Sequence, residues 1–194
     1  MLDITTICLK MKIKTKNQQG LTLIEALIWF AILAAVIAGV FALYSQTRNS
    51  NNAATVNKEL STIFAQTEQL FATEDTEQLA DGGNKLALRL GIYPSSLKTT
   101  ATGNTVQNVF GGSVSITGFS PSGFSITYTN IPKGEVCNNI IKSQKAVGWD
   151  SVGGDDEVTY NAGYNITQVA DYCGDNGDGV ISLTFNRANA NIGS

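Results

Sequence analysis

Residues 21–44 read LTLIEALIWFAILAAVIAGVFALY, and Glu25 is the one charged side chain among them. A carboxylate carried into a bilayer by such a run costs roughly 2.5 to 3.5 kcal/mol and ordinarily marks a partner or a function. Two chemistries fit Glu25: counter-ion to an equally buried ammonium, or a side chain that snorkels to the aqueous interface. The thiols are Cys8, Cys137 and Cys173, and there is no histidine. That absence removes Ser/His/Asp, Cys/His and His-metal mechanisms, since each needs an imidazole to move a proton or donate a lone pair near neutral pH. No spacing of carboxylate, Ser or Lys proposes a catalytic site, so the reading is not an enzyme, with no cofactor and no metal. Asp175-Asn176-Gly177-Asp178-Gly179 alternates acid and glycine as calcium loops do. With Gly179 in the sixth position, however, Phe185 falls in the twelfth, where a bidentate glutamate is required. A tight turn before Val180 is expected instead, and Gly153-Gly154-Asp155-Asp156-Glu157 reads as a solvated turn. Asn165-Ile166-Thr167 matches a glycosylation sequon, a pattern common by chance.

The elements that carry these residues follow from composition and period. With 194 residues, 43% hydrophobic and only 15% charged, the chain can bury one domain-sized core. Residues 1–20 hold four lysines and one aspartate, whereas the remainder holds 9 basic and 15 acidic side chains. An acidic body argues against nucleic acid as a primary ligand, because that affinity comes from Lys and Arg on phosphates. As a helix, residues 21–44 span about 36 Å, enough to cross a bilayer, and the lysines before them stay cytoplasmic by the positive-inside rule. The run is too long for an ordinary secretory signal.

Apolar residues then recur at helical spacing through Ala53, Val56, Leu60, Ile63, Phe64, Leu70 and Phe71, with Asn52, Asn57, Lys58, Glu59 and Glu68 on the other faces. One helix of roughly 75 Å from Leu21 to Phe71 is predicted, with Gly39 a place for a bend or local melting. Asp81-Gly82-Gly83 breaks the pattern before a short amphipathic stretch, Lys85 to Leu90, and Ile92 to Ser96 turns the chain. Val114 to Ile116, Phe124 to Tyr128 and Ile181 to Phe185 alternate apolar and polar residues, which predicts an antiparallel sheet with one face on the helix stripe. Glu135 to Lys145 reads as a short helix with Val136, Ile140 and Ile141 inward. Trp149, Tyr160, Tyr164 and Tyr172 fit either core or subunit contact.

The junction Gly20-Leu21-Thr22-Leu23-Ile24-Glu25, with a basic leader before it and an apolar helix after it, resembles the class III leader of type IV prepilins. The resemblance implies cleavage between Gly20 and Leu21 by a prepilin peptidase and N-methylation of Leu21. It places Glu25 fifth after the cut, as the residue that registers subunits by neutralising the Leu21 ammonium of a neighbour. Met11 opens a shorter basic leader and is an alternative start. Asn108-Val109-Phe110-Gly111-Gly112 followed by Ile131-Pro132 and Cys137 resembles type IVb pilins of the conjugative thin-pilus kind, and Leu21 as first mature residue also favours that subclass. The implied fold class is α+β, the pilin fold: a long N-terminal helical spine packed on an antiparallel β-sheet head with a disulfide-closed C-terminal region. Its divisions are a leader at 1–20, a helix at 21–72 (21–44 transmembrane or filament core, 45–72 amphipathic) and a head at 73–194.

Cutting after Gly20 removes Cys8 and leaves Cys137 and Cys173, which the family joins in one bridge; two unpaired buried cysteines are the other reading. The resemblance further implies a major pilin that polymerises into a helical filament of its own copies. It would span the inner membrane once as a precursor and be assembled by an ATPase and an inner-membrane platform into an extracellular pilus, whose role is attachment, aggregation or conjugation. The rivals are a minor pilin or type II secretion pseudopilin, and, in another class, an uncleaved single-pass membrane-anchored binding domain.

Overall fold

The structure, a computed structural model, describes residues 22–100, 105–119, 122–154, 158–161, 163–174 and 179–187, in two compact units, Met1–Tyr44 and Ser45–Ser194. Gly20, Leu21 and Cys8, the turn expected from Asp175 to Asp178 and the acids at 155–157 lie outside the described residues. The first helix, α1 (Leu23–Leu70), contributes to both units. In the first unit it is rich in Leu, Ala and Ile and contains no proline, and it stays helical through Gly39. The melting entertained at that glycine does not occur. A loss of about 1 kcal/mol in propensity is small against the backbone bonds of the turns on either side.

In the second unit Ala53, Val56, Leu60 and Ile63 are buried along one stripe, as their three- and four-residue spacing requires. Two positions differ from expectation. Leu70 is 43% exposed, being the last residue of α1 and on the edge of the stripe. Glu59, assigned by sequence to a solvated face, is only 1% exposed. It follows Val56 by three residues, so the helical period turns it toward the sheet, where Ser96 Oγ donates to its Oε1 at 2.9 Å and the Tyr128 hydroxyl to its Oε2 at 3.5 Å.

The three alternating segments form the central strands of a sheet that has seven strands among the described residues. These are β1 (Lys98–Thr99), β2 (Val106–Gln107), β3 (Ser113–Phe119), β4 (Gly123–Pro132), β5 (Ser151–Val152), β6 (Val158–Thr159) and β7 (Val180–Arg187). They pair antiparallel in the order β1-β2-β3-β4-β7-β5-β6. Val114, Ile116, Phe124, Ile126, Tyr128, Leu183 and Phe185 point into the core with the α1 stripe. Phe64, Phe124, Trp149 and Phe185 meet there with ring centroids 4.7 to 5.8 Å apart. Trp149 and Tyr160 are thus core residues; Tyr164 and Tyr172 are half-buried.

The remaining helices are α2 (Gln78–Arg89), α3 (Glu135–Gln144) and α4 (Ile166–Cys173). Gly83, with φ of 46°, kinks α2 where sequence placed a breaker, so two helical pieces run together across it. Helix α3 lies where expected and buries Val136, Cys137, Ile140 and Ile141. Helix α4 was not anticipated. Asn165 of the sequon is its N-cap, its side chain accepting from the Thr167 amide at 2.9 Å. The Asn108 loop between β2 and β3 is likewise an asparagine turn: the side-chain Oδ1 of Asn108 accepts from the amides of Phe110 and Gly112, and its Nδ2 donates to the Thr129 carbonyl. At Gly118 on β3 a Cβ would collide with the backbone carbonyl of Thr76, so only glycine permits the loop after α1 to lie this close.

Glu59 makes stability depend on pH. Burial raises its carboxyl above the ordinary 4.5, against the lowering pull of the bonds from Ser96 and Tyr128. The folded state therefore holds this proton more tightly than the unfolded chain. Its stabilising contribution is complete below the unfolded value and is lost as pH rises through the folded one. Glu59→Gln, whose amide oxygen still accepts from Ser96, is expected to melt several degrees higher than the parent at pH 7, with the gap closing near pH 4. Parallel melting temperatures across that range would contradict the assignment.

Candidate functional site

The start of α1 is organised by Thr22. Its Oγ1 accepts from the Glu25 amide at 3.4 Å and its carbonyl accepts from the Ala26 amide at 3.1 Å, so Thr22 sits at the N-cap. Thr22 and Glu25 have the T-x-x-E spacing of a capping box, and Glu25 stands in the first turn, where the helix dipole favours a carboxylate. Sequence reasoning singled out Glu25 but passed over Thr22, although the spacing alone was a sufficient signal. Both are exposed.

Beyond Glu25 the first unit offers water an apolar surface on every side of the helix. Phe30 is 69% exposed, with Trp29, Leu33, Ile37, Phe41 and Tyr44 likewise open. The most apolar 18-residue window of α1 has mean hydropathy 2.7, which by length and composition is enough to cross a membrane. A helix apolar all round is stable only in lipid or among other apolar helices. The arrangement can therefore associate with apolar surroundings and bring one carboxylate with it.

In the second unit Cys137 and Cys173 are bonded to each other, and both are fully buried. The bridge joins the first turn of α3 to the end of α4, and beside it the Gly134 amide donates to the Cys173 carbonyl at 3.2 Å. It closes the C-terminal part of the head. On the far side of this unit's sequence, Arg187 at the end of β7 pairs with Glu68 of α1 at 3.0 Å and Asp150 at 3.1 Å.

A family described as PilS N terminal matches residues 50–186, more than half of the chain. The chain belongs to the PilS family of type IV pilins. A second match, to the prokaryotic N-terminal methylation motif, covers residues 15–41 and includes the Gly20 junction and Glu25. The PilS match spans the head and includes the Asn108 and Cys137 segments on which the IVb resemblance rested. Among solved structures, this pilin is similar to a type IVb pilin from Salmonella typhi, with 15% identity, a TM-score of 0.49, and coverage of 68% of this chain and 97% of the other. No curated protein matches. Members of this family are structural subunits rather than enzymes. The long helix, the antiparallel sheet and the Cys137–Cys173 bridge are all present in this pilin.

Proposed function

We propose that this pilin is the major subunit of an extracellular type IV pilus. In this reading a prepilin peptidase cuts between Gly20 and Leu21, the new terminus on Leu21 is N-methylated, and the mature chain comprises the helix at 21–72 and the head at 73–194. The precursor spans the inner membrane once. An assembly ATPase and an inner-membrane platform then draw residues 21–44 into a filament core of identical helices, with Glu25 setting the step between neighbours. The observation that carries the proposal is the apolar surface on all sides of the first unit, interrupted by one carboxylate in its capped first turn. A bilayer alone accounts for the apolar surface but not for that carboxylate, whereas a neighbour's terminal ammonium accounts for both. The buried bridge and a head of this size support a pilin over a pseudopilin.

Intact mass with N-terminal sequencing of protein sheared from cells is the test. A chain beginning at Leu21 with one extra methyl, as the dominant sheared species, is expected. The same terminus at trace abundance would make it a minor subunit. A membrane-bound chain still carrying Lys12 to Lys16 beside an active peptidase would overturn the proposal in favour of an anchored domain, for which Gly20→Ala would be silent.

A further inference from the structure

Residues 93–97 form a strap between α2 and β1 that touches α1 at Glu59. Both ends of the strap are anchored elsewhere. The Tyr93 hydroxyl donates to Asn84 Oδ1 on α2, and Asn84 Nδ2 donates in turn to the Val114 carbonyl of β3 at 2.8 Å. At the other end the sheet pairing starts only at Lys98, which pairs with Gln107. Between these anchors the backbone hydrogen bond is local, from the Leu97 amide to the Pro94 carbonyl at 3.1 Å. The middle of the strap is therefore held down by the burial of Leu97 and by Ser96 Oγ, which donates to Glu59 Oε1.

The buried Glu59 carboxyl has two covers of unequal firmness. Tyr128 lies within β4, paired with Val114 on one side and Leu183 on the other, and is fully buried. Ser96 is exposed. Moving Tyr128 would break ladder bonds on both sides, whereas moving Ser96 breaks one side-chain bond, so the route for water is the Ser96 side. Among the groups that act on Glu59 there is no cation. The titratable groups turned toward it are the Tyr128 hydroxyl from β4 and, behind it, the Tyr93 hydroxyl from the strap. Burial pushes both tyrosines above the ordinary 10, so they stay neutral while a carboxyl titrates.

We propose that Ser96 and Glu59 form a pH-operated catch on this strap, shut while the Glu59 carboxyl is protonated and released when it ionises. Ionised beneath a shut strap, the carboxylate would have two hydroxyl donors and no counter-ion, short of what a buried charge requires. Lifting residues 94–97 hydrates it at the expense of one side-chain hydrogen bond and part of the burial of Leu97. The head therefore opens here before it opens anywhere that a strand must unpair. Burial raises this carboxyl above 4.5 in the closed head, so the shut strap holds the proton more tightly than the open one. Closure is complete below that ordinary value and weakens as pH rises through the closed-state value. Release uncovers Leu97 and the flank of α1 at Glu59, so the head presents apolar surface there as the surroundings turn from acid to neutral.

The catch is tested on the full-length chain dispersed in detergent, so the outcome does not depend on leader cleavage or filament assembly. Amide hydrogen exchange is followed from pH 4 to pH 8, each rate being divided by that of the unfolded chain at the same pH so that the catalysis of exchange by base cancels. Protection of the Ser95, Ser96 and Leu97 amides is expected to fall about tenfold or more across this range, while that of Ile126 and Tyr128 in β4 stays level. Glu59→Gln, which keeps the oxygen facing Ser96 and cannot ionise, is expected to remove the pH dependence and leave the strap protected at pH 8. The carbon resonance of the Glu59 carboxyl, followed over the same range in the parent, is expected to titrate above 4.5 and with the midpoint of the loss of protection. Strap protection that does not change with pH, an equal fall in β4, the same pH dependence in Glu59→Gln, or a carboxyl that titrates without any change in the strap would each overturn the inference.

Discussion

Glu25→Val is expected to leave leader cleavage intact while most of the processed chain stays in the membrane instead of entering filaments. The cut proposed at Gly20 would create an ammonium on Leu21, and assembly would carry it into a core of helices as apolar as residues 26–44. A charge desolvated without a partner costs several kcal/mol, and removing one member of a buried pair typically costs about 3 to 5 kcal/mol. On that scale each subunit addition would weaken by on the order of a hundredfold or more. The helix itself should survive the change. Thr22, not the Glu25 carboxylate, accepts the Glu25 amide, and that bond is to the backbone and persists in valine. The substitution therefore separates assembly from folding and from membrane insertion, which valine if anything favours. The measurement is the ratio of sheared to membrane-bound mature protein, with N-terminal sequencing of each. Normal filament yield would sink the pairing argument, and a block in cleavage would place Glu25 in peptidase recognition instead.

Cys137→Ser is expected to cost the head about 4 kcal/mol, the chain-entropy value for a bridge closing a separation of 36 residues. A hydroxyl would also stand in a fully buried site, and Cys173 would keep an unpaired thiol there. For a unit of this size the loss corresponds to a fall of about 10 °C in melting temperature. The consequence is local before it is global. The bridge ties α3 to α4, and between these helices lie Trp149, Tyr160 and the short pair β5 and β6. Two-residue strands have little pairing energy of their own, so this region should open first. Thermal melts of the full chain in detergent, with and without reductant, provide the check, together with filament yield from cells. A reductant-insensitive parent, or a variant that melts within a degree or two of it and is fully piliated, would count against a structural role for the bridge.

Much of this was legible in the amino-acid order because the relevant signals are local or periodic. The Gly20 to Glu25 junction, the apolar run and the α1 stripe are contiguous patterns, and β3, β4 and β7 are long enough for alternation to show. Helix α3 announced itself by its apolar face. What escaped was short or depended on a distant partner. Strands β1, β2, β5 and β6 are two residues each, below the length at which a period of two can be recognised. Helix α4 had an N-cap asparagine and apolar positions at Ile166, Val169 and Cys173, a signal hidden behind the sequon reading.

Whether a side chain is buried is settled by what folds over it, not by its own helix alone. Glu59 reads as surface by its charge, although its spacing from Val56 puts it beside the stripe, and Ser96 and Tyr128, remote in sequence, close on it. A cavity at Thr67 and Phe124 arises in the same way, from residues 57 positions apart that the sheet brings beside the end of α1. The sequence by itself determined that this chain has an apolar helix with one carboxylate in its first turn and a sheet-based head, since each is written in neighbouring or regularly spaced residues. Only the tertiary structure decided which polar groups that head buries, because desolvation is a property of the packed whole.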